Sequence, residues 1–204
     1  MSWNWSTSIL QKTNSVEKQG LNNKDPVLER KAMEALENIL NRRSIRRYTD
    51  QPITDEDLHK ILEAAMSGPS CVNARDYSFI VVRDEETLLK MAEANGRPAQ
   101  PLKKAAAGIL VLGDLDRAFK GAPDYWIIDG AIACENLILA ANALGIGSVW
   151  LGTYPQENRV ENLKKLFDLP DNIIPHSIIA LGYPDEQPTR KGFYEEDRVH
   201  FEKW

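Results

Sequence analysis

Apolar positions in this chain change their spacing several times, and each change marks an element. Behind Asp25-Pro26, Leu28, Ala32, Ala35, Leu36, Ile39 and Leu40 recur at helical intervals. That spacing predicts a helix with Asp25 as N-cap and Pro26 in its first turn. A second helix is predicted from Thr54, with Asp57 three residues on as its capping partner. Leu58, Ile61, Leu62 and Ala65 form its apolar stripe, and Gly68 is placed to end it. Short continuous apolar runs then replace the periodicity at residues 77–82 (YSFIVV), 106–112, 147–152 and 174–181, which read as buried strands. Residues 85–94 read as a helix and 95–103 as a proline-containing connection. Residues 125–144 are apolar on nearly every side, so they predict a long helix buried all round. Residues 155–169 form an amphipathic helix through Val160, Leu163 and Phe167.

The flanks differ in character. Residues 1–24 are polar and aperiodic and read as a flexible N-terminal extension, leaving residues 25–204 as a single domain. Residues 113–123 are a charged, glycine-containing loop or lid. The tail from Tyr183 is charged, yet Tyr194, Phe201 and Trp204 would gain by docking on something. Helices precede the first strand, so the pattern is α+β around a central sheet and not a strict βαβ series.

Composition narrows the function. A formal net charge of -5 argues against broad nucleic-acid binding. Two cysteines, Cys71 and Cys134, make no disulfide framework and fit a reducing cytoplasm. The first ten residues lack the basic start and apolar core of a secretory signal. Asp129, Glu135, Asn136 and Asn142 interrupt the longest apolar stretch, which therefore reads as a buried helix and not a membrane span. Against the acidic background, Arg42, Arg43, Arg46 and Arg47 crowd into six residues at the expected end of the first helix. Helical spacing would pair Arg42 with Arg46 and Arg43 with Arg47 on neighbouring faces. Guanidinium forks match phosphate oxygens, so the cluster suits either a small phosphorylated cofactor or a solvated basic surface.

Other motifs are weaker. Gly145-Ile146-Gly147-Ser148 lacks the strand-before, helix-after context of a dinucleotide fingerprint. It reads as a tight helix-to-strand turn that lets the main chain of Trp150, Leu151 and Gly152 approach a flat ligand. Trp150 itself fits a core position or a cofactor wall equally. His59, His176 and His200 have no ligand-like spacing, so no metal site is expected. Cys71 has no histidine placed to activate it and reads as a loop cysteine. Asn136, inside the apolar helix, needs a hydrogen-bond partner from another helix or a second subunit.

Four segments, taken in order, resemble the FMN-dependent nitroreductase family: Arg42-Arg43-Ser44-Ile45-Arg46; Pro69-Ser70-Cys71-Val72-Asn73 running into the strand at 77–82; Gly145 to Gly152; and Ala180-Leu181-Gly182-Tyr183-Pro184. The resemblance covers roughly residues 30–204. It implies a three-layer sandwich with a mostly antiparallel sheet, and an intertwined homodimer with FMN at the interface. Arg42, Ser44 and Arg46 would hold the flavin phosphate and ribityl chain, with Arg43 toward the pyrimidine. Pro69, Ser70, Cys71 and Asn73 would reach the same flavin from the other subunit. Main-chain groups of Trp150, Leu151 and Gly152 would lie near the reactive ring edge. Lys191 and Arg198 would complete the phosphate site. The implied activity is hydride transfer from NADH or NADPH through FMN to a small electron-poor acceptor such as a nitroaromatic or quinone, in ping-pong order and with no obligatory catalytic side chain. A same-fold dehalogenase, dehydrogenase or flavin-destroying enzyme, or a non-catalytic flavin-binding dimer, is the alternative. This chain departs from the family pattern at Arg75-Asp76-Tyr77 after the Asn73 loop, and at Phe193, where an arginine usually follows the lysine.

Overall fold

The structure, a computed structural model, describes residues 35–187, 189 and 194–204. The expected extension and the helix start at Asp25 lie outside the described residues; residues 35–41 are helical. The elements that follow are α1 (Asp55–Met66), β1 (Tyr77–Val82), α2 (Glu85–Asn95), a 3-10 segment (Arg97–Lys104), β2 (Ala107–Asp114), α3 (Tyr125–Ala143), β3 (Gly147–Gly152), α4 (Glu157–Leu166) and β4 (Ile173–Gly182). The four strands form one antiparallel sheet in the order β1-β2-β4-β3.

Both sheet faces are covered, which is why the strands read as continuous apolar runs. Along β2, Leu110 and Leu112 join Leu88, Met91, Leu102 and Leu163 in one core layer. The alternate residues Ile109 and Val111 join Leu58, Ile61, Leu137 and Ile138 of α1 and α3 in the other. The result is the three-layer α+β sandwich expected. Thr54 caps α1 as predicted, its hydroxyl accepting from the Asp57 N–H at 3.1 Å. Asn136 finds its partner within the chain, donating to the Ala64 carbonyl of α1 at 3.2 Å. Gly145 turns the chain from α3 into β3 at φ 75°, a left-handed conformation that favours glycine.

Three expectations are corrected. Residues 42–47 are extended and not helical, so the arginines do not pair across helix faces. The free edge of β3 draws them out: Ser44 bridges Ser148, and the Ile45 N–H donates to the Ser148 carbonyl at 2.8 Å. Part of the 95–103 connection is the 3-10 segment, anchored by fully buried Ala99 and Leu102. And α3 is not buried all round in this chain; Ile128 is 50% exposed and Tyr125 is also exposed. Although long and apolar enough to cross a membrane, α3 packs on α1 and the sheet.

Two glycines seat the arginine segment. Gly147 and Gly182 face each other across β3 and β4. A Cβ on Gly147 would stand 2.8 Å from the Ile45 Cβ, and one on Gly182 would stand 2.7 Å from the Tyr48 ring. The missing side chains leave room in which Ile45 and Tyr48 are buried. The Tyr48 hydroxyl then donates back to the Ile45 carbonyl at 2.7 Å. Gly147→Ala is expected to lower the unfolding free energy by about 1–3 kcal/mol through overpacking. The check is a lower urea midpoint at unchanged m-value.

Candidate functional site

With Ile45 and Tyr48 buried, the arginines between and around them are held outward. The Arg46 and Arg47 N–H groups both donate to one Glu186 carboxylate oxygen, at 2.6 and 3.2 Å. The Arg47 guanidinium pairs with the other oxygen at 3.4 Å. These bonds, led by the one from the Arg46 N–H, hold the Glu186 carboxyl below its ordinary range. The extended Arg46–Arg47 main chain thus already binds a carboxylate with two adjacent N–H groups. Arg43 donates to the carbonyls of Leu40, Arg42 and Thr189, and lines a cavity of about 480 Å³ with Asn41, Ile45, Gly147 and Glu186. Arg42 lies 3.8 Å from Glu135 of α3. Arg46 faces a different groove, of about 590 Å³, with Arg97 and Lys104 of the 3-10 segment.

The edge of β3 beside this segment is only partly paired. The Ser148 carbonyl takes the Ile45 N–H, and the Gly152 carbonyl takes the side chains of Asn95 and Arg159. Because antiparallel pairing alternates, Ser148, Trp150 and Gly152 turn their main-chain groups to this edge, while Val149 and Leu151 turn theirs to β4. Of the expected ring-edge residues, Trp150 and Gly152 therefore offer main-chain groups to a ligand and Leu151 does not. Gly152 has open space where a Cβ would stand. The Trp150 side chain is 37% exposed and leans on His176, with ring centroids 5.9 Å apart.

Beneath Trp150 lies a buried polar cluster. His176 contacts the Ile127 carbonyl through Nε2 at 3.0 Å and the Ser177 hydroxyl through Nδ1 at 2.7 Å. Cys134 Sγ is 4.0 Å from the same Nδ1. Burial lowers the His176 pKa and pushes the Cys134 thiol up to about 12. Both are core groups.

Within the segment Pro69–Asn73, Cys71–Asn73 form a short 3-10 turn. Val72, Asn73 and Arg75 all take positive φ, at 45°, 60° and 49°, a conformation costly to side-chain-bearing residues. The Arg75 N–H donates to the Ser70 hydroxyl at 3.0 Å, and Arg75 Nε to Asn73 Oδ1 at 3.2 Å. The Cys71 N–H donates to Asp129 Oδ2 of α3 at 2.9 Å. Asp76, next along, is 0% exposed, and neither of its carboxylate oxygens has a hydrogen-bond partner. Burial, then the neighbouring Asp129 charge, pushes its pKa up to about 6.

The structure docks Ser44 and Ile45 on Ser148 and Gly147 at the start of β3, and Trp150 and Gly152 lie further along the strand. It sets Arg43 in the cavity beside Gly147, Arg42 toward Glu135 of α3 and Arg46 in the separate groove with Arg97 and Lys104. It places Pro69, Ser70, Cys71 and Asn73 on a separate turn against α3. Arg198 pairs with Glu195 in the tail, and Lys191 lies outside the described residues. The tail aromatics Tyr194, Phe201 and Trp204 are exposed on this chain. Sequence reading passed over Glu186, which sits in a Pro-Asp-Glu-Gln stretch without a motif. It also passed over the contact of Asp76 with Asp129. The signals were a charge inside the most apolar helix and a departure after the Asn73 loop.

Comparison with known proteins bears directly on this geometry. The Nitroreductase family model matches residues 39–128 and 97–183. A protein of Archaeoglobus fulgidus named "Putative NADH dehydrogenase/NAD(P)H nitroreductase" is 48% identical over 177 residues, 84% of this chain and 99% of its own length. The FMN reductase [NAD(P)H] of Bacillus subtilis is 30% identical over 190 residues, 83% of this chain and 74% of its own. The solved FMN-dependent nitroreductase of Clostridium difficile superposes with a TM-score of 0.77 at 29% identity, over 83% of this chain and 99% of its own.

The buried acid of Asp76 gives a signed pH effect. Its folded pKa lies above the ordinary aspartate value, so the folded state binds the proton more tightly, and stability falls as pH rises through about 6. Asp76→Asn removes that loss. In thermal melts it is expected to run level with wild type near pH 4 and several degrees higher at pH 8.

Proposed function

The chain belongs to the nitroreductase family, and from that footing we propose that it is an NAD(P)H-dependent FMN oxidoreductase acting on a small electron-poor acceptor such as a nitroaromatic or quinone. The observation that carries this reading is at β3: a basic segment, whose Arg46 and Arg47 N–H groups bind a carboxylate, docks at Ser148, and the main chain of Trp150 follows two residues along the same strand edge. A dianionic tail and a flat heteroaromatic ring need these two surfaces side by side.

The residues fit the cofactor. The Arg46 and Arg47 N–H groups already hold a carboxylate, and phosphate oxygens use the same donors. Arg42, Ser44 and Arg46 would bind the phosphate and ribityl chain, and Arg43 the pyrimidine side. Lys191 and Arg198 would add charge from the tail. The main-chain groups of Trp150 and the N–H of Gly152 would fix the ring edge, and the empty space over Gly152 admits a ring plane. FMN, when bound, supplies two-electron chemistry: it takes a hydride from the nicotinamide and passes reducing equivalents to the acceptor. The protein's part is position and charge. Arginines beside the ring favour its anionic reduced form, and no side chain needs to move a proton.

Pro69, Ser70, Cys71 and Asn73 would serve the flavin of a second subunit, because in this chain they stand on α3 and away from the arginine segment. The exposed apolar side chains Tyr125 and Ile128 of α3 would be covered in that homodimer. One pocket used in turn by reductant and acceptor gives ping-pong kinetics.

Purified protein mixed with FMN is expected to retain flavin absorbance through gel filtration, and to bleach when NADPH or NADH is added without oxygen. Protein that stays colourless overturns the reading. Initial rates at varied acceptor and reductant are expected to give parallel reciprocal plots; intersecting plots would overturn the shared pocket. Arg46→Ala is expected to raise the FMN dissociation constant by about tenfold or more, the scale of one charge-assisted hydrogen bond. An unchanged constant would remove Arg46 from the phosphate site.

A further inference from the structure

Two carboxyl groups in the core, Asp76 and Asp129, form no ion pair among the described residues. Asp76 is 0% exposed and Asp129 is 2% exposed. They meet from different elements, Asp76 from the residue before β1 and Asp129 from the second turn of α3. Both main chains are held in place, so only the side chains can move apart. The Asp76 carbonyl accepts the Asp114 N–H at 2.8 Å, so its main chain is pinned to the end of β2. Asp129 sits on a helix packed on the sheet and on α1.

Their surroundings add little positive charge. Asp114 at the end of β2 is a third carboxylate that acts on Asp76. Tyr77 of β1, its own pKa raised chiefly by burial, senses both Asp76 and Asp129. Arg75 on the turn and Arg117 after β2 both act on Tyr77, and Arg75 donates to Asn73. A buried carboxyl with two unpartnered oxygens lacks a donor. A proton on Asp76 creates one.

Directly above stands the strained turn. Val72, Asn73 and Arg75 are all left-handed, and such a backbone persists only where its surroundings hold it. The bonds from Arg75 to Ser70 and Asn73 lie within the turn. The bond that ties the turn to α3 is the Cys71 N–H to Asp129 Oδ2.

We propose that Asp76 and Asp129 form a proton-sharing clamp that positions the Ser70–Arg75 turn. With the proton in place, Asp76 donates to one Asp129 oxygen and leaves the other to the Cys71 N–H. Without it, two buried carboxylates repel, and the strain is relieved by letting Asp129 and the turn part. Asp76 and Asp129 are thus positioning residues. Their consequence for flavin binding rests on the reading that this turn contacts the flavin of a second subunit. The clamp itself does not.

The test is hydrogen–deuterium exchange of the full-length protein with FMN added, from pH 5 to 8, corrected for the intrinsic pH dependence of amide exchange. In wild type, the corrected exchange of amides 70–75 is expected to rise about tenfold across pH 6. In Asp76→Asn, which keeps a donor and cannot ionise, it is expected to stay flat. A flat wild-type profile overturns the clamp, as does the same step in both proteins. Should Asp76→Asn not fold, the wild-type profile alone decides. FMN affinity is measured in parallel on both proteins. A step in exchange, with wild-type affinity falling above pH 6 and the Asp76→Asn affinity constant, supports both the clamp and its link to the flavin. A step in exchange with no matching change in affinity supports the clamp and removes the turn from the flavin site.

Discussion

The edge of β3 is the constraint on which the rest of the molecule turns. A strand edge carries donors and acceptors that must be met by something. Here the chain meets half of them itself. Ile45 and Tyr48 sink into room left by Gly147 and Gly182, and the Ser44–Ser148 bridge closes the near end. Asn95 and Arg159 close the far carbonyl. The stretch around Trp150 is left for a ligand. Because that seating is extended, residues either side of Ile45 project outward, and the arginines follow. One backbone decision thus sets both the charged and the planar halves of the site.

Much of this was legible in the sequence. The strand at 77–82 and the strand at 147–152 are found where the apolar runs end, because both are bounded by turns and covered on both faces. The Thr54 cap is a local interaction three residues long, and such interactions survive folding unchanged. The errors share a cause. The arginines were given to a helix because their spacing permits one, but an unpaired edge elsewhere in the chain outbid local propensity. The long helix was read as fully buried because its composition is nearly uniform. Composition does not say whether the covering atoms come from the same chain. For the site, residue types were readable through the ordered motifs, whereas which main-chain groups face outward depends on the parity of the β3–β4 ladder. Alternation fixes that only once a single bond, from Ile45 to Ser148, is known.

Charge is divided in an orderly way across the fold. Positive groups sit on the rim, solvated enough to cost little, and are offset by Glu186 and Glu135. Carboxyl groups sit inside, at Asp76 and Asp129, and burial makes ionisation of Asp76 expensive. A net-acidic protein thereby keeps a locally basic corner for an anion, and it spends its buried carboxyls beneath a strained turn where protonation has a mechanical effect. His176, buried beneath Trp150, is satisfied by the Ile127 carbonyl and the Ser177 hydroxyl and gives the Trp150 indole a firm base.

The strand order leaves β1 at the opposite margin of the sheet, and among the described residues no segment bridges its outer edge as Ser44 bridges Ser148 of β3. Its sequence, YSFIVV, is the kind that zips onto its own copy in a half-folded chain. Arg75 and Asp76 stand at one end of it and Arg83 and Asp84 at the other. Such flanking charges act as gatekeepers against fibril-like growth. Asp76, one half of the clamp, thus also stands at a β1 terminus where a flanking charge guards the unfolded chain against self-association.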